Sequence, residues 1–402
     1  MTIGVDGFIG KRLAEARLAR GILTQGSLAS MLNKSSSSAI SAYENGTIKP
    51  RPEIVSEIAD LLKIKESYLF RPSPNTFYPI FWRSSHTTTK DKRAIAQAKF
   101  SWTKLIDSYL KQFLDMPKLN LPSREELGVP YDINELDDNQ IEDITLRLRE
   151  YWGLGQTPIQ NMTILLENNG ILLSYGQLES NKLDAFSNKS EYDSSLHIFL
   201  GTDKDEALRS RMDAAHELGH LILHSHLSEK EFLGKKHSLY EQQAFRFGSA
   251  FLMPLAMFKS DVWMTSIEAL KTLRKRWIVS VGAMMKRCMD IGLYGEKDTS
   301  RMWITYRKNW QKIEDDDYIF EQPQLFKRSI NTLVAETIRT KSQILHDLPF
   351  FQKDIEQLLN LPDGYFNEDF GELKNFPTIR LQQQSETVQG GEVIRYNFGK
   401  NT

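Results

Sequence analysis

Apolar side chains between residues 8 and 70 recur mostly at intervals of three and four. Leu13, Ala16, Leu28, Leu32, Ile40, Ile54, Ile58, Leu61 and Leu62 mark out short helices joined by brief turns. Thr24 is a suitable N-cap, and Gly46, Pro50 and Pro52 punctuate the chain after a third helix. Prolines at 72 and 74 disfavour helix and predict a linker over 71–75. A basic helical stretch follows at about 88–116 and stops at Pro117. From about 138 the pattern changes. A helix through Leu146, Leu148 and Trp152 ends at Gly153; Pro158 is placed to open the next, through Met162, Leu165 and Leu166 to Gly170. Short apolar runs at 171–175, 183–187 and 196–200 read as strands, and long helices are predicted over about 205–226 and 239–252. A final hairpin is expected from 378–383 and 392–398, with Gly390-Gly391 in its connection.

This order predicts a multidomain chain: an all-α helical domain at 8–71, a basic helical connector at 72–137, an α+β domain with a small sheet at 138–300, and an accessory C-terminal region at 301–402. A length of 402 residues agrees with more than one domain. With 40% hydrophobic and 26% charged residues, wholesale disorder is excluded. No apolar run reaches the roughly 18 residues of a membrane span; the nearest, 244–258, is broken by Arg246, Ser249 and Pro254. The first residues lack the pattern of a secretion signal, so no membrane partner and a cytoplasmic location are expected. The single cysteine, Cys288, excludes an internal disulfide and a cysteine-rich metal site.

The net charge is −1, but its distribution is uneven. Residues 1–71 carry ten Lys/Arg against seven Asp/Glu, and residues 76–111 carry seven against two. A basic front on a neutral chain suits contact with a polyanion at one end, although a solvated helix face has the same composition.

Five of the eight histidines lie within 216–237. His216-Glu217-x-x-His220 on a helix sets two imidazoles about 40° apart and about 6 Å along the axis. They can converge on one zinc ion (Zn2+), with Glu217 directed at the water that such an ion activates. A catalytic site needs a third ligand. Glu241 offers one from the next long helix, where the small residues Ala244 and Gly248 permit close approach. A competing local role exists, because Ser238-x-x-Glu241 is also a capping-box pattern. His224 lies about 12 Å along the helix from His216, too far to share a tetrahedral ion. His226 and His237 read as surface histidines that a loop can bring back. The alternating segment 196–200 suits either a strand that receives an extended peptide or an ordinary core strand.

The strings HELGHLILH at 216–224 and EQQAFRFGSAFLMP at 241–254 resemble the ImmA/IrrE family of zinc metallopeptidases, bacterial proteases that cleave repressors. The similarity extends over about 138–300, through WGLGQTPI at 152–159, LDAFSN at 183–188 and RSRMDAAHELGH at 209–220. PIFWRS at 79–84 and LDMPKLNLP at 114–122 resemble members fused to an amino-terminal regulator. This resemblance implies a zincin-like fold, His216, His220 and Glu241 as zinc ligands, and Glu217 as general base. It departs at 245–247, where Phe-Arg-Phe replaces the Asn that usually precedes the helix aromatic, which bears on substrate contacts.

Residues 10–62 resemble the Cro/repressor (XRE) helix-turn-helix. The resemblance implies a phosphate contact for Gln25 and a recognition helix over 36–45, with Ser36, Ser37, Ser38 and Ser41 toward the bases of double-stranded operator DNA. Lys34, Lys49 and Arg51 are phosphate candidates, whereas Glu44 supports the fold. One extra residue stands between Leu32 and Ile40, and the serine-rich helix lacks Arg or Gln for bidentate readout. Modest specificity per copy, raised by homodimerisation, follows.

Together these features predict a DNA-binding transcriptional regulator with a zinc endopeptidase that cleaves a repressor, a partner protein or its own 71–78 linker. Two rivals are a non-proteolytic regulator using the zincin fold as sensor or dimerisation platform, and a helical protein-binding module at the N-terminus.

Overall fold

The computed structural model describes residues 5–32, 35–72, 81–82, 90–176, 185–189, 195–201, 206–309 and 318–367. It divides into two compact units, each drawn from separated stretches of chain. The four consecutive segments expected from sequence are thus regrouped. One unit combines Met1–Thr76, His86–Pro117 and Gln324–Thr402; the other combines Phe77–Ser85 with Lys118–Pro323. The hairpin expected at 378–398 and the candidate Lys34 lie outside the described residues.

The first unit begins with helices Gly10–Ala19, Gln25–Met31, Ser37–Glu44 and Pro52–Leu62. Thr24 caps the second by accepting from the Ser27 amide at 3.0 Å, and Ser36 caps the third from the Ala39 amide at 3.1 Å. Pro52 opens the fourth, where its missing N–H costs nothing. Leu13, Ala16, Leu28, Leu32, Ile40, Ile58 and Leu62 are buried, as their spacing predicts. The first and third helices cross so closely that a Cβ on Gly10 would lie 2.0 Å from the Tyr43 carbonyl oxygen. Beside this crossing Arg17 makes two bonds to the buried Glu44 carboxylate, at 2.7 and 3.1 Å.

The same unit takes in the helix Lys90–Leu110 and the C-terminal helices Leu325–Ala335, Lys341–Asp347 and Gln352–Leu358. Tyr68, Trp102 and Phe350 form one aromatic cluster, with centroid separations of 4.9 to 6.2 Å. The Trp102 indole donates to the Tyr68 hydroxyl at 3.0 Å, which donates to Glu15 at 2.8 Å. Arg20 grips Asp354 with two bonds of 2.7 and 2.6 Å, and Ile64 bridges to Phe350. The later part of the expected accessory region is therefore core material for the helix-turn-helix unit.

The second unit is α+β. Its four-stranded sheet has the order β1-β3-β4-β2, with β1 at Phe81–Trp82, β2 at Ile171–Gly176, β3 at Ala185–Lys189 and β4 at Leu196–Gly201. β4 pairs in parallel with β2 and antiparallel with β3. Both its edges are filled, so 196–200 is a core strand and cannot receive an added peptide strand. β1, which the hydrophobic pattern does not announce, pairs antiparallel with the outer edge of β3.

A capping box between Asp137 and Gln140 starts the helix Asp138–Tyr151. The next helix, Met162–Asn168, is opened by Asn161 and not Pro158; the Asn161 side chain accepts from the Ile164 amide at 2.8 Å. Beneath the sheet runs the histidine helix, Ala207–Leu223, and against it packs the glutamate helix, His237–Leu252. Their crossing depends on missing side chains. A Cβ on Gly248 would sit 3.0 Å from the His216 amide nitrogen, and one on Gly219 would sit 3.1 Å from the Ala244 carbonyl oxygen. Ile198, Ala215, Leu218, Phe247, Phe251, Trp277 and Met285 share one buried core around this crossing. Among the described residues no helix is long and apolar enough to cross a membrane.

Candidate metal centre

One helical turn separates His216 from His220, so their rings project from the same face of the histidine helix. Their Nε2 atoms approach to 2.9 Å. From the glutamate helix, Glu241 brings Oε2 to 3.4 Å from His216 Nε2 and Oε1 to 3.2 Å from His220 Nε2. Ligand atoms about 2.1 Å from a tetrahedral zinc ion lie about 3.4 Å apart. The three observed separations lie at or within about 0.5 Å below that value, and two imidazoles with one carboxylate are a donor set of catalytic zinc. These residues fit the ion. Among the described residues they are the one group of three or more His, Cys, Asp or Glu side chains able to hold it.

The competing capping role for Glu241 is not realised. The glutamate helix begins at His237 with Lys236 as its N-cap and no side-chain cap bond, so Ser238 already lies inside it. Burial works to raise the Glu241 pKa, but bonds and attraction to His216 and His220 outweigh it and hold the carboxyl well below its usual range. Glu217 follows His216 on the histidine helix and is fully buried. His216 is 2% exposed and His220 0%, whereas the Glu241 side chain keeps 25%, which makes it the most accessible of the three.

Histidines outside the triad divide three ways. His224 is buried, with Nδ1 2.9 Å from Nδ1 of His220 and Nε2 3.1 Å from Oε1 of Gln243. Burial first, then the adjacent His220, pushes its pKa well below the ordinary imidazole value. His226 is exposed, as its surface reading requires. His237 corrects that reading: it is buried, 4.0 Å from Glu241, with its ring centroid 5.1 Å from that of Phe232. Phe232, itself fully buried, also packs on His220 at 5.2 Å and makes an apolar wall for the cluster. Gln243 escaped the sequence reading; with Glu241 and Gln242 before it and Arg246 after it, the local pattern does not single it out, although it is buried. Arg246, at the position of departure from the family pattern, turns to Glu142 at 2.8 Å and to Asp138 and Asp290 at 3.5 and 3.8 Å.

In the helical unit, Ser37 and Ser38 stand exposed at the start of the recognition helix. Ser36 is engaged as its cap, and its hydroxyl meets that of Ser38 at 2.8 Å. Ser41 is half-buried and accepts from Asn45 at 3.4 Å. Gln25 donates one N–H to Glu44 at 2.8 Å. Glu44 is a fold residue, since Arg17 and Gln25 both close on it. Lys49 pairs with Asp6 at 2.6 Å on the surface, an interaction weak enough to yield to a phosphate.

Comparison with known families agrees with both ends of this description. Residues 166–289 match the peptidase family described as the IrrE N-terminal-like domain, and residues 13–69 match the helix-turn-helix family. The first match contains all four residues of the metal centre; the second contains the four helices from Gly10 to Leu62 almost entirely. No curated protein matches the chain. The chain thus joins a helix-turn-helix domain to a domain of the IrrE-type peptidase family.

Proposed function

We propose that this fusion is a cytoplasmic, operator-binding transcriptional regulator whose second unit is a zinc-dependent endopeptidase, acting on a repressor, a partner protein or the chain itself to switch gene expression. The observation that carries the reading is the convergence of His216, His220 and Glu241 from two crossing helices, with Glu217 beside them.

In this reading the two histidines and Glu241 hold Zn2+. When bound, the ion supplies Lewis acidity that polarises the scissile carbonyl and lowers the pKa of water toward about 7. Glu217 takes the proton of the attacking water and delivers it to the leaving amine. Its side chain is fully buried. In this reading a peptide enters from the side of Glu241, whose side chain keeps 25% of its surface exposed. On the other unit, Ser36, Ser37, Ser38 and Ser41 face the bases, while Gln25, Lys34 and Lys49 contact phosphates. Because the serines give little direct readout, two copies on a two-part operator supply the remaining specificity.

The test compares wild type with Glu217→Gln in cells, by sequencing newly formed protein N-termini after induction. Loss of a set of cleavages in the variant, with zinc and operator binding retained, is the expected result. Identical cleavage patterns in both would refute the peptidase reading and leave a regulator that uses the zincin fold as a sensor or dimerisation platform.

A further inference from the structure

The metal centre has a second, inward-facing side. On the face of His220 away from Glu241, four groups follow in line: His220 Nδ1 to His224 Nδ1 at 2.9 Å, His224 Nε2 to Gln243 Oε1 at 3.1 Å, and Gln243 Nε2 to the Ile133 carbonyl at 2.7 Å. All three side chains are buried.

The far end determines every proton. A carbonyl oxygen only accepts, so Gln243 must present its NH2 to Ile133 and its Oε1 to His224. That oxygen also only accepts, so His224 carries its hydrogen on Nε2. With one hydrogen on each imidazole, the Nδ1 atom of His224 is then bare, and the bond at 2.9 Å requires His220 to hold its hydrogen on Nδ1. The Nε2 lone pair of His220 is left facing His216 and Glu241, the state that metal binding demands. The opposite tautomer would aim an N–H into the site.

We propose that His224 and Gln243 are positioning residues that lock His220 in its ligating tautomer and ring orientation, with the Ile133 carbonyl as fixed anchor. This rests on the zinc reading above. The glutamate helix consequently serves the site twice, through Glu241 on one side of His220 and through Gln243 on the other. The short turn Ile133–Glu135 is tied into the centre although it lies more than 80 residues before the first ligand.

Zinc affinity of the full-length chain, measured by competition with a chromophoric chelator, tests the proposal. His224→Leu removes the acceptor and should weaken zinc binding about 10–100-fold, the usual effect of losing a partner of a ligand. His224→Asn also removes the ring but places Oδ1 near the former Nδ1, and should recover most of that loss. Gln243→Leu frees the His224 tautomer and should fall between wild type and His224→Leu. Thermal midpoints of the metal-free proteins separate this effect from general loosening, since the Asn and Leu variants lose the same ring packing. Equal weakening by Asn and Leu would overturn the proposal, as would wild-type affinity in Gln243→Leu, which keeps the test decisive if His224→Leu does not fold. A wild-type protein that takes up no zinc would instead overturn the zinc reading, and the tautomer lock with it.

Discussion

The metal centre and the recognition helix are built on opposite principles. Around His220 each polar atom with an assigned bond meets a partner that is itself held, and the cluster is walled by Phe232. At the start of the recognition helix Ser37 and Ser38 face solvent, and the well-defined bond of Ser36 is spent on capping its own helix. A single ion bound by three ligands rewards preorganisation, because each ligand out of place is lost affinity. A DNA surface is read through many weak contacts, so rigidity is placed one layer below, in the Arg17–Glu44 pair.

That contrast can be broken in a graded series. On the proposed zinc reading, Glu241→Ala removes one of three ligands, and elemental analysis after dialysis should show zinc falling from about one per chain to near none, with DNA binding intact. Arg17→Ala leaves Glu44 buried without its guanidinium, a loss of about 3–5 kcal/mol. Hydrogen exchange through residues 10–62 should rise by about 10²-fold or more, while zinc content stays unchanged. A methyl placed at the helix crossing by Gly248→Ala must displace the His216 backbone, and overpacking of about 1–3 kcal/mol should appear as weaker zinc binding in the chelator assay. On the open surface, Ser38→Ala should change affinity for a footprinted DNA fragment by less than about 1 kcal/mol and leave its salt dependence unaltered. The smallest effect is expected at Cys288. Burial pushes its thiol up to about 12, so an aromatic disulfide reagent at neutral pH should leave it unmodified until the chain is unfolded.

How far the sequence foretold these features depends on how local their causes are. His216, Glu217 and His220 sit within one and a half turns, and helix geometry alone brings the histidines together. The apolar positions of the first four helices were likewise readable, since period reports which face is buried. Period does not report what lies across from that face. Glu241 satisfied a capping pattern and a ligand pattern equally well, and only the helix start at His237 removes the capping one. β4 looked the same as a receiving strand or a core strand, because only pairing on both edges distinguishes them. The partnership of Gln243 with Ile133, and of Phe350 with Tyr68 and Trp102, joins residues more than a hundred positions apart, with no local trace.

That last partnership bears on what scission can achieve. A cut anywhere between residues 72 and 81 would sever the covalent path yet leave the first four helices clasped by Arg20–Asp354, by the Ile64–Phe350 bridge and by the aromatic cluster. The nicked protein would migrate as two polypeptides under denaturing conditions and as one particle without denaturant. Conversely, a fragment stopping at residue 300 would bare Tyr68 and Trp102 to water, and poor solubility of such a piece would report a missing lid rather than a faulty DNA reader.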